Sequence, residues 1–211
     1  STSLVSSGSN DIFIAKLSSS GSWQWAVKAG GSSTDKGKGI AIDSSGNAYA
    51  IGSFQGTATF GSTSLTSSAY NDIFVAKLSS SGSWQWVVKA GGSSSDNGMG
   101  IAVDSSGNAY VTGYFLGTAT FGNTSLTSNG GSDAFIGQVD SSGNWVWANN
   151  GGGTGSDEGT SIALGSSGIG YMGGFFSGDA DIGMQSFTCL SSKCGMFLFA
   201  KQRFFNEISL F

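Results

Sequence analysis

The chain has 211 residues, among them 36 Gly, 41 Ser, no Pro and no His; nine Lys plus Arg against thirteen Asp plus Glu give a net charge of -4, and aromatics reach 12%. Fifteen Phe and six Trp supply apolar surface that disordered Gly/Ser linkers lack, and the absence of Pro excludes collagen. Without His there is no Ser-His-Asp triad and no His-based metal centre, so the sequence reads as a non-enzyme without a cofactor or metal, and nine dispersed cations give no footprint for nucleic acid.

The longest apolar run, Met196 to Ala200, is five residues, far short of the roughly 20 that span a bilayer, so membrane insertion is not expected. Ser1-Thr2-Ser3-Leu4 has neither an initiator Met nor a signal pattern and reads as a processed terminus or a fragment.

One unit is repeated along the chain. Asn10-Asp11-Ile12-Phe13 recurs as Asn71-Asp72-Ile73-Phe74 and as Ser132-Asp133-Ala134-Phe135, a step of 61 that Trp23, Trp84 and Trp145 also keep. Residues 1–61 match residues 62–122 at 48 of 61 positions, with divergence rising toward the C-terminus. There, Ala200-Lys201 answers Ala15-Lys16 after a two-residue insertion, and Ile208 and Leu210 fall where Trp23 and Trp25 would be.

Every element reads as a strand, because apolar residues alternate with period two and no ten-residue segment keeps a helical period. In the second copy Gly100 to Asp104 is a strand, Ser105-Ser106-Gly107-Asn108 a turn, and Ala109 to Phe115 the returning strand. Thr118 to Phe121 and Thr124 to Thr127 form a smaller hairpin turning at Gly122-Asn123. Asp133 to Val139 and Trp145 to Asn149 complete the unit around a second Ser-Ser-Gly-Asn turn, and the Gly-rich stretch 151–159 leads to the next copy. The expectation is an all-β propeller-type repeat: four-stranded antiparallel blades with an extra hairpin, in about three and a half copies. The segments are 1–31 (partial), 32–92, 93–153 and 154–211 (divergent).

The run from Asp96 through Gly98, Ile101, Asp104, Gly107, Asn108 and Tyr110 to Phe115 closely resembles the bacterial seven-bladed beta-propeller repeat, as does Asp35 to Phe54. Asp157 to Phe176 is a weaker copy with Gly165 in place of the Asp and Gly170 in place of the Ala. The resemblance implies a secreted or surface bacterial protein rather than an established activity.

Candidate sites follow from the repeated residues. Trp23 and Trp25, Trp84 and Trp86, and Trp145 and Trp147 are two apart and so share a strand face, where they either stack on sugar rings or fill the wedge between blades. Asp35, Asp96 and Asp157, in the Gly-rich connections, either hold a cation or accept backbone N–H bonds. Asp43 and Asp104 precede Ser-Ser-Gly-Asn and read as turn formers. Cys189 and Cys194 read as a disulfide closing a loop of about six residues, worth roughly 2 kcal/mol, with two free thiols as the alternative. Such a pair on a weakly charged surface suits an extracellular protein.

A closed propeller needs at least four blades, and this count falls short of it. Unmatched edges at the two ends make Ser1, Leu4 and Val5, and Phe204, Phe205, Ile208, Leu210 and Phe211, candidate contacts with other copies or with a longer parent chain. The expected role is a non-enzymatic structural or adhesive protein that associates through its ends, whether as a filament or a multi-chain ring. The alternative is a lectin-like module binding surface glycans.

Overall fold

The computed structural model describes residues 3–165 and 168–188, together with the backbone of a strand at 200–203. Ser1, Cys189, Cys194, Phe204, Phe205, Ile208, Leu210 and Phe211 lie outside the described residues, and with them the disulfide pairing. The described residues are all strand, turn and connection, with no helix among them.

Strands β1 (Ile12–Leu17) and β2 (Trp23–Gly31) form an antiparallel pair. Four-stranded units follow: β3 (Lys36–Ile42), β4 (Ala48–Phe60), β5 (Thr63–Leu78) and β6 (Trp84–Gly92), then β7 (Asn97–Val103), β8 (Ala109–Phe121), β9 (Thr124–Val139) and β10 (Trp145–Gly153). In each, neighbours in sequence pair antiparallel. The register of β4 on β5, Ala48↔Leu78, returns 61 residues later in β8 on β9, Ala109↔Val139. Beyond them lie β11 (Glu158–Leu164), β12 (Ile169–Phe175), a short hairpin of β13 (Ala180–Ile182) and β14 (Gln185–Phe187), and β15 (Ala200–Arg203), which pairs with β12.

The extra hairpin is continuous with the main strands. β8 runs unbroken from Ala109 to Phe121, and the expected stop at Gly117 survives only as a register shift between Leu116 and Thr118, where Gly117 takes φ +65°. The far half of this hairpin pairs with the outer strand of the preceding unit, Gly91↔Thr120 and Ala90↔Phe121, just as Gly30↔Thr59 and Ala29↔Phe60 do one unit earlier. Backbone hydrogen bonds therefore stitch successive units into one sheet of twelve strands.

The tight turns work as the residue types require. Asp43 Oδ1 accepts the N–H groups of Ser45 and Asn47, both at 2.9 Å, and Gly46 takes φ +77°; Asp104 and Gly107 repeat this.

The core lies between units rather than within one. Ile12, Ile14 and Ala29 of the first pair cluster with Ala50, Phe60, Phe74 and Leu78 of the next unit. The opposite face of that unit, with Tyr49, Ile51, Ile73 and Val75, clusters with Ile101, Val111, Phe121 and Phe135 of the unit after it. The first half of β4 and the second half of β5 are buried on both faces, and there the strands read as nearly continuous apolar or small residues.

Candidate functional site

Each Trp pair faces two ways, not one. The outer strands carry an extra residue: Trp84 lies opposite Leu78 and Trp86 opposite Lys77, with the register shift between them. Leu78 and Lys77 are consecutive and point to opposite faces, so this bulge turns the two indoles apart and overrides the two-residue rule. β1 with β2 and β9 with β10 repeat the device.

The two indoles then serve different junctions. Trp84 packs edge-on against Phe60, centroids 5.4 Å apart, over the hairpin turn at Gly61. Trp145 does the same to Phe121 at 5.3 Å over Gly122, and its Nε1 donates to Lys89 O of the preceding unit at 3.0 Å. Trp86 reaches forward, lying against Gly143 and donating to Ser141 O at 3.1 Å; Trp25 treats Gly82 and Ser80 O alike. Trp147 donates to Gln138 Oε1 at 2.7 Å. Trp23 is the exception, 69% exposed.

The three connection aspartates are buried and hold backbone. Asp96 Oδ2 accepts Gly92 N–H at 2.7 Å and Oδ1 accepts Leu116 N–H at 3.2 Å, which ties the end of β6 to β8. Asp35 does this for Gly31 and Gln55, and Asp157 for Gly153 and Ser177. Burial raises the Asp96 carboxyl to about 6; its two N–H donors oppose the rise and the Asp72 charge adds to it. Asp35 and Asp157 are raised by burial as well.

A second aspartate of the repeat stands beside each of these. A Cβ built on Gly91 would lie 2.7 Å from Asp72 Oδ1 and 3.0 Å from Asp96 Oδ2, so the glycine is wedged between two carboxylates at φ +149°. Asp72 Oδ2 takes Lys89 Nζ at 3.1 Å and Ser68 N–H at 3.0 Å, while Oδ1 is buried without a partner; Asp11 Oδ1 is the same. In the third copy the lysine is replaced by Asn150, whose Nδ2 donates to Asp133 Oδ2 at 3.0 Å. Asp11, Asp72 and Asp133 serve the sequence reading only as markers of the repeat; their recurrence at 61-residue steps is the signal that marks them as site residues.

No group of three or more His, Cys, Asp or Glu side chains converges among the described residues. The Asp pairs clamp the junctions between units, and their ligands in the structure are backbone N–H groups, Lys and Asn.

The surface feature that stands apart is at β1 and β3. Phe13 is 69% exposed, whereas its counterparts Phe74 and Phe135 are fully buried; Leu17 is exposed and its counterparts Leu78 and Val139 are buried. Ile40 and Ile42 on β3 are exposed beside them, and a groove of about 240 Å³ runs between Ile12, Phe13, Asp35 and Lys36. Leu4 and Val5 are exposed next to it, Val5 O accepting Lys28 Nζ as Thr66 O accepts Lys89 Nζ.

Antiparallel units that stack face to face and are tied by outer hairpins define a propeller-type repeat module. Residues 24–53 and 85–114 match the SBBP beta-propeller repeat, one match at each of two successive junctions between units. Both matches begin on an outer strand and end on the second strand of the next unit, the stretch that holds the connection aspartates Asp35 and Asp96. An uncharacterized WD repeat-containing protein of Acanthamoeba polyphaga mimivirus is 30% identical over 140 residues, spanning 60% of this chain and 10% of that protein. A solved structure of a protein of unknown function from Bacteroides caccae is similar over 87% of this chain and 60% of its own, with 11% identity and a TM-score of 0.45. The chain thus spans about a tenth of the viral relative and less than two thirds of the bacterial one.

Proposed function

We propose that this chain is a non-enzymatic structural or adhesive propeller module of a secreted or surface-exposed bacterial protein, organised as three and a half 61-residue copies, whose task is to associate end to end. The observation that carries this reading is the open face of β1 and β3: Phe13, Leu17, Ile40 and Ile42 face solvent, although the counterparts of the first two are buried in the second and third copies. Contiguous exposed apolar surface on a soluble protein marks an interaction site, and an unpaired strand edge beside it is a template for another strand. The lack of any His and the single Arg support the non-enzymatic part.

The packing of four of the six tryptophans argues against the glycan-binding alternative, which keeps the exposed Trp23 as a stacking surface. Stacking on sugars needs free indole faces, and Trp25, Trp84, Trp86 and Trp145 spend theirs on glycine turns, phenylalanines and carbonyls of adjoining strands. A glycan array with intact protein tests this directly, the expected result being a blank. Association is tested by measuring mass in solution: species heavier than 21.3 kDa are expected at micromolar concentration, and a stable monomer throughout would overturn the proposal.

A further inference from the structure

Lys89 brings an amine into contact with a carboxyl that water does not reach. Its Nζ lies 3.1 Å from Asp72 Oδ2, and the Asp72 side chain has no exposure. The amine has two other acceptors, Thr66 O at 2.8 Å and Ser68 Oγ at 3.4 Å. Once Lys89 gives up one proton, these two take its remaining N–H groups and leave the nitrogen lone pair to the carboxyl.

The two oxygens of Asp72 are unlike. Oδ2 also accepts Ser68 N–H at 3.0 Å and Ser68 Oγ–H at 3.2 Å, while Oδ1 is buried with no hydrogen-bond partner. A buried oxygen in that state calls for a donor. The acid on that side is Asp96: a Cβ built on Gly91 lies 2.7 Å from Asp72 Oδ1 and 3.0 Å from Asp96 Oδ2, so both carboxyl groups converge on one glycine. Burial raises the Asp96 carboxyl to about 6, which keeps a proton there in mild acid. Amine, carboxyl and acid therefore stand in the order that amide formation needs.

We propose that Lys89 and Asp72 join in an isopeptide bond, a covalent staple between β5 and β6. The neutral Lys89 amine attacks Asp72 Cγ; the Nζ–Cγ bond forms and the Cγ–Oδ2 bond breaks. Oδ2 leaves as water with two of the three protons of the original ammonium, and the third stays on the amide nitrogen. Asp96 lends its proton to Oδ1 as the tetrahedral centre forms and recovers it as the carbonyl closes. No oxidant, reductant or further reactant enters, and the paired charges disappear together. Amine and carboxyl held in contact have the high effective concentration that favours condensation, and exclusion of water from Asp72 protects the product.

The other copies supply a repeat and a control. Lys28 Nζ lies 3.4 Å from Asp11 Oδ2, Asp11 Oδ1 is again buried without a partner, and burial raises Asp35 beside it, so the first junction closes too, more slowly across its wider gap. In the third copy Asn150 stands in place of the lysine, and its amide nitrogen is not a nucleophile toward Asp133. The consequence is mechanical. Asp72 and Lys89 are 17 residues apart, so tension along the chain passes through the bond and bypasses the segment between them.

The test is the mass of the intact chain under denaturing conditions, followed by a tryptic digest. The chain should fall below its 21.3 kDa sequence mass by one water, about 18 Da, and lose a second water more slowly. Tandem spectra should join Lys89 to Asp72, with cleavage after Lys89 blocked. Lys89→Arg keeps the charge and should abolish that link without altering the far-UV circular dichroism. Asp96→Asn should slow closure at least about tenfold while the fold is kept, because an amide supplies no acid proton; undiminished closure would overturn the role of Asp96. A folded chain that retains its full mass and a free Lys89 amine after days at about pH 6 would overturn the bond itself. Water loss that maps to residues other than Lys89 and Asp72 would overturn it equally.

Discussion

Phe13 and Phe74 occupy the same place in nearly identical sequence, yet one is 69% exposed and the other has no exposure at all. The difference lies outside either local segment. Phe74 has β4 across the sheet, Gly52 opposite its ring and Phe60 5.0 Å away, whereas Phe13 has only β2 beside it. A repeat unit of this kind buries its apolar face only against a neighbour, so position in the array decides the energy of each copied residue. The Asp clamps give a second comparison: Asp72 is neutralised by Lys89, and Asp133 is held instead by the neutral Asn150.

Truncation should break the first comparison most visibly. Phe74→Ala removes a fully buried ring and should cost about 3–5 kcal/mol in urea unfolding, while Phe13→Ala in the monomer should stay within about 0.5 kcal/mol. Equal losses would show that the β1 face is covered in solution.

The turn glycines sharpen the same contrast. Gly122→Ala and Gly183→Ala both force a side chain into the left-handed region, at about 1–2 kcal/mol. Among the described residues only the former sets a Cβ against a ring, 2.7 Å from Trp145, adding about 1–3 kcal/mol of overpacking, so its melting temperature should fall further.

Acidity tests the clamp. The folded Asp96 carboxyl at about 6 lies above its unfolded value of 3.8, so the native state binds the extra proton between these limits. That contribution to stability is fully present below about pH 4 and is lost as pH rises through 6, a change on the order of 3 kcal/mol. Asp96→Asn, which resembles the protonated form, should flatten this part of the stability profile relative to the parent. An unchanged slope would assign the pH dependence to other groups.

The smallest effect belongs to the second comparison. Asn150→Lys restores the cation that the first two copies place beside Asp11 and Asp72, and should raise stability by less than about 1 kcal/mol because the lysine head is partly solvated. A loss of stability would mean that the third junction has repacked around the amide.

The all-β class, the 61-residue step, the four strands and extra hairpin of the second copy, and the Asp43 and Asp104 turns follow from the residues alone. Period-two alternation, glycine at positive φ and Asp-capped turns are local chemistry, legible over a few positions. The backbone-holding reading of Asp35, Asp96 and Asp157 was legible for the same reason, since an Asp in a Gly-rich connection finds N–H donors nearby. The tertiary structure alone decided three things. The bulge opposite Lys77 and Leu78 sent paired tryptophans to opposite faces, because register across strands sets side-chain direction once an extra residue intervenes. Gly91 was caught between Asp72 and Asp96, residues 24 apart in sequence and joined only when β5, β6 and the following connection meet. Identical phenylalanines were divided into buried and exposed, because burial belongs to the neighbour that covers a side chain and not to the segment that carries it.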